Sequence, residues 1–535
     1  MGGAMIRGLQ GDYKKDRTRV AACMKHFIGY SVSRNGQDKP SVWIPGNYLM
    51  DYFVPSFQVA VQAGVATAME TYIDVNSQPE LDRLYTEHHT ASSLRATAQM
   101  CLKQTALDMA MVPELESFSR DAVALVQEGE IDRQRLVESV AKVLQLKKDV
   151  GLFDQPVSDP KLLSYVGSKQ DITATKNAVR ESITVLKNMD SILPLKSNRI
   201  LVTGPAANSI RALSDGWSIK WQGAEDNEWY QGRGETIMDG MYSEFGSDSV
   251  SFKESVDFDG NPVSGSEDAF LTAIGDVDTV VLFLGEKPYA EIAGNINNLD
   301  LPLGQLDLIR KAAEKAKGTN TKVVLVLVEG RPRVLQDLTD KVDAIVMAYL
   351  PGPWGGHPIA EILRGSVNPS GRLPMTYPNG PGDMNSNYYR SGVDPYKPLF
   401  SFGEGLSYST VEYQNLKLNN NLLHAKTYED GSSKDSHESG DVNWIDGTND
   451  KFKVPESTIV AKVNRSDVMP EAFLLKGFRK VSLDADETKE VEFTITRDAL
   501  AYHGRSLRKK VEKGKFTLTV NAVRPEAQSV KFEAV

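Results

Sequence analysis

An apolar run, Val280-Val281-Leu282-Phe283-Leu284, passes through Gly285 into a loop that carries Glu286, Tyr289 and Glu291. Short, rich in β-branched residues and nearly unbroken, the run from Asp278 to Gly285 has the pattern of a parallel strand buried on both faces. In open α/β sheets the ligand crevice lies beyond the carboxyl ends of such strands, so this loop stands where binding and proton transfer take place. Taken alone, a loop glutamate is equally at home in water. Two other constellations fall away. In Glu87-His88-His89 the adjacent histidines point in different directions on a helix and lack the spacing of a His-Glu-Xaa-Xaa-His zinc motif. Gly232-Arg233-Gly234-Glu235 follows no strand, as a phosphate loop must. No metal and no cofactor is expected.

The elements that must position the loop form a second α/β pattern. Its strands are Arg199 to Thr203, Asp278 to Gly285, Lys322 to Val328 and Val342 to Tyr349, with helices near Gln305 to Lys315 and Gly356 to Leu363. Upstream, a helix opens the chain and a strand follows from Val20 to Tyr30. A helix from Tyr48 to Ala63 and a strand from Val65 to Tyr72 come next, then a helix from Ala91 to Leu107 and a short strand from Asp108 to Pro113. Strands alternating with helices imply parallel βαβ units, and these are too few to close a (β/α)8 barrel. The helix from Asp132 to Lys148 stops at Gly151, and another is expected from Asp171 to about Lys187. Asn379 to Leu406 reads as a crossing loop. Beyond Tyr408 short alternating strands at 458–463, 490–495 and 515–520 have the signature of a β-sandwich, with Glu429 to Thr448 as a mobile insertion. The expected fold class is multidomain α/β. It comprises a truncated barrel domain over 1–155, a linker and bridging helix over 156–196, an α/β sandwich domain over 197–405 and an incomplete fibronectin III-like domain over 406–535.

Several stretches together resemble glycoside hydrolase family 3, the β-glucosidase family. Met24-Lys25-His26-Phe27 is similar to that family's Lys-His-Phe strand end. Gly285-Glu286-Lys287-Pro288-Tyr289-Ala290-Glu291 resembles its exo-glucanase branch, and Asp215-Gly216-Trp217-Ser218-Ile219-Lys220-Trp221-Gln222-Gly223 its tryptophan segment. Gly151-Leu152-Phe153, Arg180 to Asn188, Asn368-Pro369-Ser370-Gly371-Arg372-Leu373-Pro374 and Phe402-Gly403-Glu404-Gly405-Leu406-Ser407-Tyr408 match its domain junctions. The resemblance implies a retaining two-carboxylate mechanism acting on β-glucosides or β-glucan oligosaccharides. It makes Glu291 the general acid/base with a pKa raised by partial burial, Lys25 and His26 the holders of sugar hydroxyls, Tyr72 an aromatic beside the reacting sugar and Trp221 a clamp on the aglycone.

The family's nucleophile, an Asp in a Ser/Thr-Asp-Trp strand end, is not found. Val75-Asn76-Ser77-Gln78-Pro79 runs directly into Glu80-Leu81-Asp82-Arg83, as though one strand and one helix were missing. Ser214-Asp215-Gly216-Trp217 imitates the motif but belongs to the tryptophan segment, and Asp74 and Asp82 could substitute only if the backbone rearranged. The first half of the barrel and the central strands of the sandwich are also expected to be missing. An incomplete gene product or a catalytically inactive sugar-binding protein are the alternatives.

A net charge of -10 argues against a nucleic-acid partner. No apolar run reaches the roughly 20 residues of a membrane span. Cys23 and Cys101 read as small core hydrophobes. The resemblance implies an extracellular protein, with Asn464-Arg465-Ser466 as a glycosylation acceptor, although the chain as written has no signal peptide. Oligomeric state is not encoded in any of these features.

Overall fold

The longest apolar runs of the chain become its most buried strands. A computed structural model describes residues 1–32, 36–76, 107–111, 115–196, 198–383, 388, 396–418, 422–423, 440–445, 457–462, 468, 471, 474–521 and 527–534. The chain divides into two compact units, Met1–Val166 with Tyr502–Arg508, and Gly167–Ala501 with Lys509–Val535.

In the first unit, helix α1 (Gly2–Gln10) precedes strand β1 (Cys23–Phe27). A π-turn at Leu49–Phe53 leads into α2 (Val54–Gln62), and β2 (Thr67–Glu70) follows. β1 and β2 pair in parallel, with Cys23 opposite Thr67 and Met24 opposite Ala68. Ile6 packs with Ala22 and Ala60 beneath them. The buried Gln10 amide ties both strand starts together: Oε1 accepts from Ala22 N at 3.0 Å and Ala66 N at 2.8 Å, and Nε2 donates to Gly64 O at 2.8 Å. Along β1 the side chains alternate between exposed and half-buried, unlike a barrel strand covered on both faces.

Helices α3 (Leu115–Gln127) and α4 (Arg133–Asp149) complete the unit, α4 capped by Asp132, which accepts from Gln134 N. The helix ends before Gly151, whose φ of 77° suits glycine. His503 joins this unit through Nδ1, 2.6 Å from Asp51 Oδ1. The strand expected from Asp108 is corrected: 107–111 is irregular, because Asp108 Oδ1 accepts from Ser139 Oγ and Lys142 Nζ of α4 instead of lying in a ladder. The helix expected from Ala91 falls, save for Leu107, outside the described residues. So do Asp82, Glu87-His88-His89, Cys101 and Asn464. Cys23 is exposed and not the core hydrophobe its surroundings imply.

The second unit opens with α5 (Lys169–Ser182), started by a capping box between Ser168 and Asp171. It ends earlier than expected. Thr184 and Val185 are β-branched and enter strand β3 (Thr184–Asn188), which pairs antiparallel with β8 (Ala344–Met347). Beyond β8 in the sheet order β3-β8-β7-β6-β4-β5 stand β7 (Lys322–Val328), β6 (Thr279–Gly285), β4 (Ile200–Thr203) and β5 (Val250–Phe252). The pairs from β5 to β8 are all parallel. β5 is too short and too polar in its approach to show in the sequence.

Val280 through Leu284 are each 0% exposed, and full burial of such a side chain contributes roughly 1.5–3 kcal/mol. One face packs on α6 (Ile237–Phe245) and α8 (Gly356–Arg364), the other on α7 (Leu303–Lys317). On the first side Arg180 makes a fork to Glu361, with Nε to Oε2 at 2.6 Å and NH2 to Oε1 at 2.7 Å, and His357 lies between Glu361 and Glu244.

Beyond Gln414 the described residues are mainly β, with a short helix at Arg497–Leu500. Leu422–Leu423, Gln528–Ala534, Gly514–Val520, Ser457–Lys462 and Leu474–Arg479 form one sheet, and Glu490–Ile495, Gly440–Ile445 and Gln414–Leu418 the other. Within the expected mobile insertion, Gly440–Ile445 is therefore a strand, paired from Gly440 opposite Ile495 to Ile445 opposite Glu490. Among the described residues no helix is long and apolar enough to cross a membrane.

Candidate active site

β6 leaves the sheet at Gly285, where a Cβ would meet Val328 O at 1.8 Å. Its end is fixed by the buried Gln305 amide: Oε1 accepts from Gly285 N at 3.0 Å, while Nε2 donates to Gly285 O at 2.9 Å and to Phe258 O at 2.6 Å. The loop that follows reaches Glu291, which opens a short 3-10 turn, Glu291–Gly294, with a left-handed φ of 52°. A non-glycine residue there is uncommon, and such outliers gather at functional sites.

A second strained segment docks on this loop. Asp215, Trp217 and Ile219 have φ of 65°, 59° and 69°, a conformation that disfavours side-chain-bearing residues by about 1–2 kcal/mol each. What holds it is a set of bonds to the loop backbone. Asp215 Oδ1 accepts from Tyr289 N at 3.0 Å. The Gln222 amide closes a pair with Ala290, Oε1 accepting from its N at 2.9 Å and Nε2 donating to its O at 3.0 Å. Gly216 sits so close that a Cβ would meet Tyr289 O at 2.2 Å. Trp221 Nε1 then donates to Glu291 Oε1 at 3.3 Å.

Trp221 is half exposed, with Trp217 beside it at a ring separation of 6.5 Å. A bare indole face next to a carboxyl is suited to stacking the apolar face of a pyranose while the carboxyl gives or takes a proton. Behind the loop, burial pushes the Glu286 carboxyl up against the opposing pull of Arg331 and Arg333. Glu329, fully buried at the end of β7, is pushed up to about 8 by burial and stays neutral at pH 7.

Of the residues expected to act, Trp221 and Glu291 are brought into contact in the second unit. Lys25, His26 and Tyr72 belong to the first. Lys25 is exposed on β1, His26 is half-buried with its ring 4.6 Å from that of Tyr30, and Tyr72 lies just past β2 with Lys39 Nζ 5.5 Å from its ring centre. Asp74 is engaged by the Ser41 hydroxyl, and its carbonyl accepts from Val42 N. Sequence reasoning missed Gln222, Asp215 as an acceptor for the loop, and Arg331. The last was within reach, since Arg331 follows β7 just as the glutamate loop follows β6.

A mostly parallel sheet covered by helices, a carboxyl–indole pair beyond its strand ends and a β-sandwich after it make up a multidomain α/β architecture, and comparison with known proteins gives it a family. The model of the glycosyl hydrolase family 3 C-terminal domain matches residues 183–408, that of the N-terminal domain residues 1–86, and a fibronectin type III-like domain residues 441–523. The chain belongs to glycosyl hydrolase family 3.

It is 34% identical to a lysosomal beta glucosidase of Dictyostelium discoideum, over 97% of this chain and 68% of that one. It is 27% identical to a periplasmic beta-glucosidase of Salmonella typhimurium, over 100% of this chain and 76% of the other. A crystal structure of beta-glucosidase from Listeria innocua in complex with glucose superposes with a TM-score of 0.85 at 25% identity, covering 99% of this chain and 76% of that one. The Salmonella alignment runs over 604 positions against 535 residues here, so at least 69 positions inside it are filled by the relative alone.

Proposed function

We propose that this chain is built to hold a terminal β-D-glucosyl residue of a β-glucoside or short β-glucan, with Glu291 as the general acid/base of a retaining hydrolysis, and that its nucleophile lies in a segment the chain lacks. The observation that carries the reading is the contact of Glu291 with Trp221 Nε1. The indole N–H engages Oε1, which favours the proton on Oε2. From there it passes to the glycosidic oxygen as the bond to the anomeric carbon breaks, while the indole face holds the departing sugar. In the intact route a carboxylate about 5–5.5 Å away would bond the anomeric carbon, and Glu291 would later deprotonate the water that releases it. Lys25, His26 and Tyr72 serve as hydroxyl and ring contacts.

Support for the omission comes from two sides. Internal positions of the relative have no counterpart here, and β1 and β2 hold no fully buried residue where a closed barrel would cover them. The reading extends to location outside the cytosol, in keeping with relatives named for a lysosome and a periplasm.

The test is to assay this chain and the product of its full-length transcript side by side on an aryl β-glucoside. Hydrolysis by the longer product alone, lost in its Glu291→Gln variant, is the expected result. Hydrolysis by the present chain sinks the omission. An inert chain that binds glucose saturably, with no longer transcript, establishes a sugar-binding protein instead.

A further inference from the structure

We infer that Arg331 is a positioning residue for the acid/base loop, a strut that joins both ends of the loop through one guanidinium; this rests on the reading of Glu291 given above. Arg331 lies two residues past the Glu329 that follows β7. Its Nε and NH2 both reach Glu286 Oε1 at 2.9 Å, at the start of the loop. NH1 donates to Gly294 O at 2.6 Å, at the end of the loop. Between these anchors the guanidinium carbon stands 4.3 Å from the centre of the Tyr289 ring. Gly294 presses on the same ring, where a Cβ would come within 2.3 Å of Cδ2.

These contacts fall on residues 286, 289 and 294, and Glu291 sits inside that span with its left-handed backbone. A planar fork of donors can satisfy a carboxylate and a carbonyl at once, which an ammonium on a flexible stem does poorly. Glu286 is held in turn by Arg333 NH1 at 3.4 Å, and Arg333 N donates to Glu329 Oε1 at 3.0 Å, so the strut is rooted in the end of the neighbouring strand. The Asp215 and Gln222 bonds grip the loop from the tryptophan segment, whereas Arg331 grips it from the sheet. Without the strut, the turn that aims the Glu291 carboxyl has its ends released, and proton delivery suffers before sugar binding does.

The first experiment needs no turnover. In Arg331→Ala and, separately, Glu286→Gln of this chain, hydrogen exchange of the amides of 289–294 is expected to rise at least about tenfold, while those of β6 and β7 keep their protection. Arg331→Lys is expected to fall between. Unchanged exchange in the loop overturns the proposal, as does equal loosening of loop and strands in both variants, which would make the pair a prop of the sheet.

The second uses whichever product hydrolyses. Arg331→Ala should lower kcat/KM on cellobiose about 100-fold, but by less than about threefold on 2,4-dinitrophenyl β-glucoside, whose leaving group needs no proton. Equal losses on both substrates overturn the positioning role. If Glu291→Gln itself shows no such contrast, the acid/base assignment fails, while the exchange result still decides whether Arg331 fastens the loop.

Discussion

β1 and β6 are both parallel strands that end in polar residues, yet they are built differently. Every residue of β6 is buried, between helices on both faces, and the loop beyond it is fastened by side chains from three directions. β1 alternates between exposed and half-buried and, among the described residues, pairs with β2 alone. Parallel strands are found almost only where both faces are covered, so β6 stands in a finished sheet and β1, among the described residues, in a half-covered pair. The lesson concerns function as much as stability. A strand end can aim a carboxyl only as well as the strand is held, and the better-held end carries Glu291.

The largest test of this contrast is restoration. Supplying the internal positions that the Salmonella relative fills alone, where we propose the nucleophile lies, should raise hydrolysis of an aryl β-glucoside by about 10⁶-fold or more, the lower range of enzymatic acceleration; a rate equal in both products would erase the contrast. Next comes the packing itself. Phe283→Ala should destabilise the second unit by roughly 3–5 kcal/mol, whereas Met24→Ala should cost the first unit less than about 1 kcal/mol. Urea unfolding followed by hydrogen exchange in each unit reads both.

A smaller effect comes from Glu329. Its folded pKa is raised to about 8, so the folded protein holds a proton that the unfolded chain gives up near pH 4.5. The associated stability is full below that pH and is lost as pH rises to about 8. Glu329→Gln, which never ionises, should flatten this decline, gaining about 2–3 kcal/mol on the parent between pH 5 and pH 7; equal slopes in thermal melts would contradict the assignment. Smallest, Trp221→Ala should weaken cellobiose binding about tenfold, or about 1.4 kcal/mol, by calorimetry. A larger effect from Lys25→Ala would show that the less finished end dominates binding.

The sequence displays β6 and β7 openly because strands buried on both faces read as continuous apolar runs. β3 is hidden, since Glu181 to Lys187 prolongs the pattern of α5 and only its pairing with β8 turns it to strand. Glu291 and Trp221 were legible through motif likeness. Their contact was not, because it spans 70 residues of sequence, and the same holds for Gln222 and Arg331, whose partners lie 68 and 45 residues away. Local pattern records what a residue buries, and it is silent on which distant backbone a side chain will meet.

Gln305 and Gln10 solve one problem in two units, each spending an entire amide on strand backbone. In both, the nitrogen faces carbonyls and the oxygen faces N–H groups. Glutamate differs from glutamine by one atom, yet at either place it would set oxygen against oxygen. A slow hydrolysis of that amide, or a one-base change in its codon, would therefore turn a splice in the sheet into a wedge, and for Gln305 the wedge would be driven in six residues before Glu291.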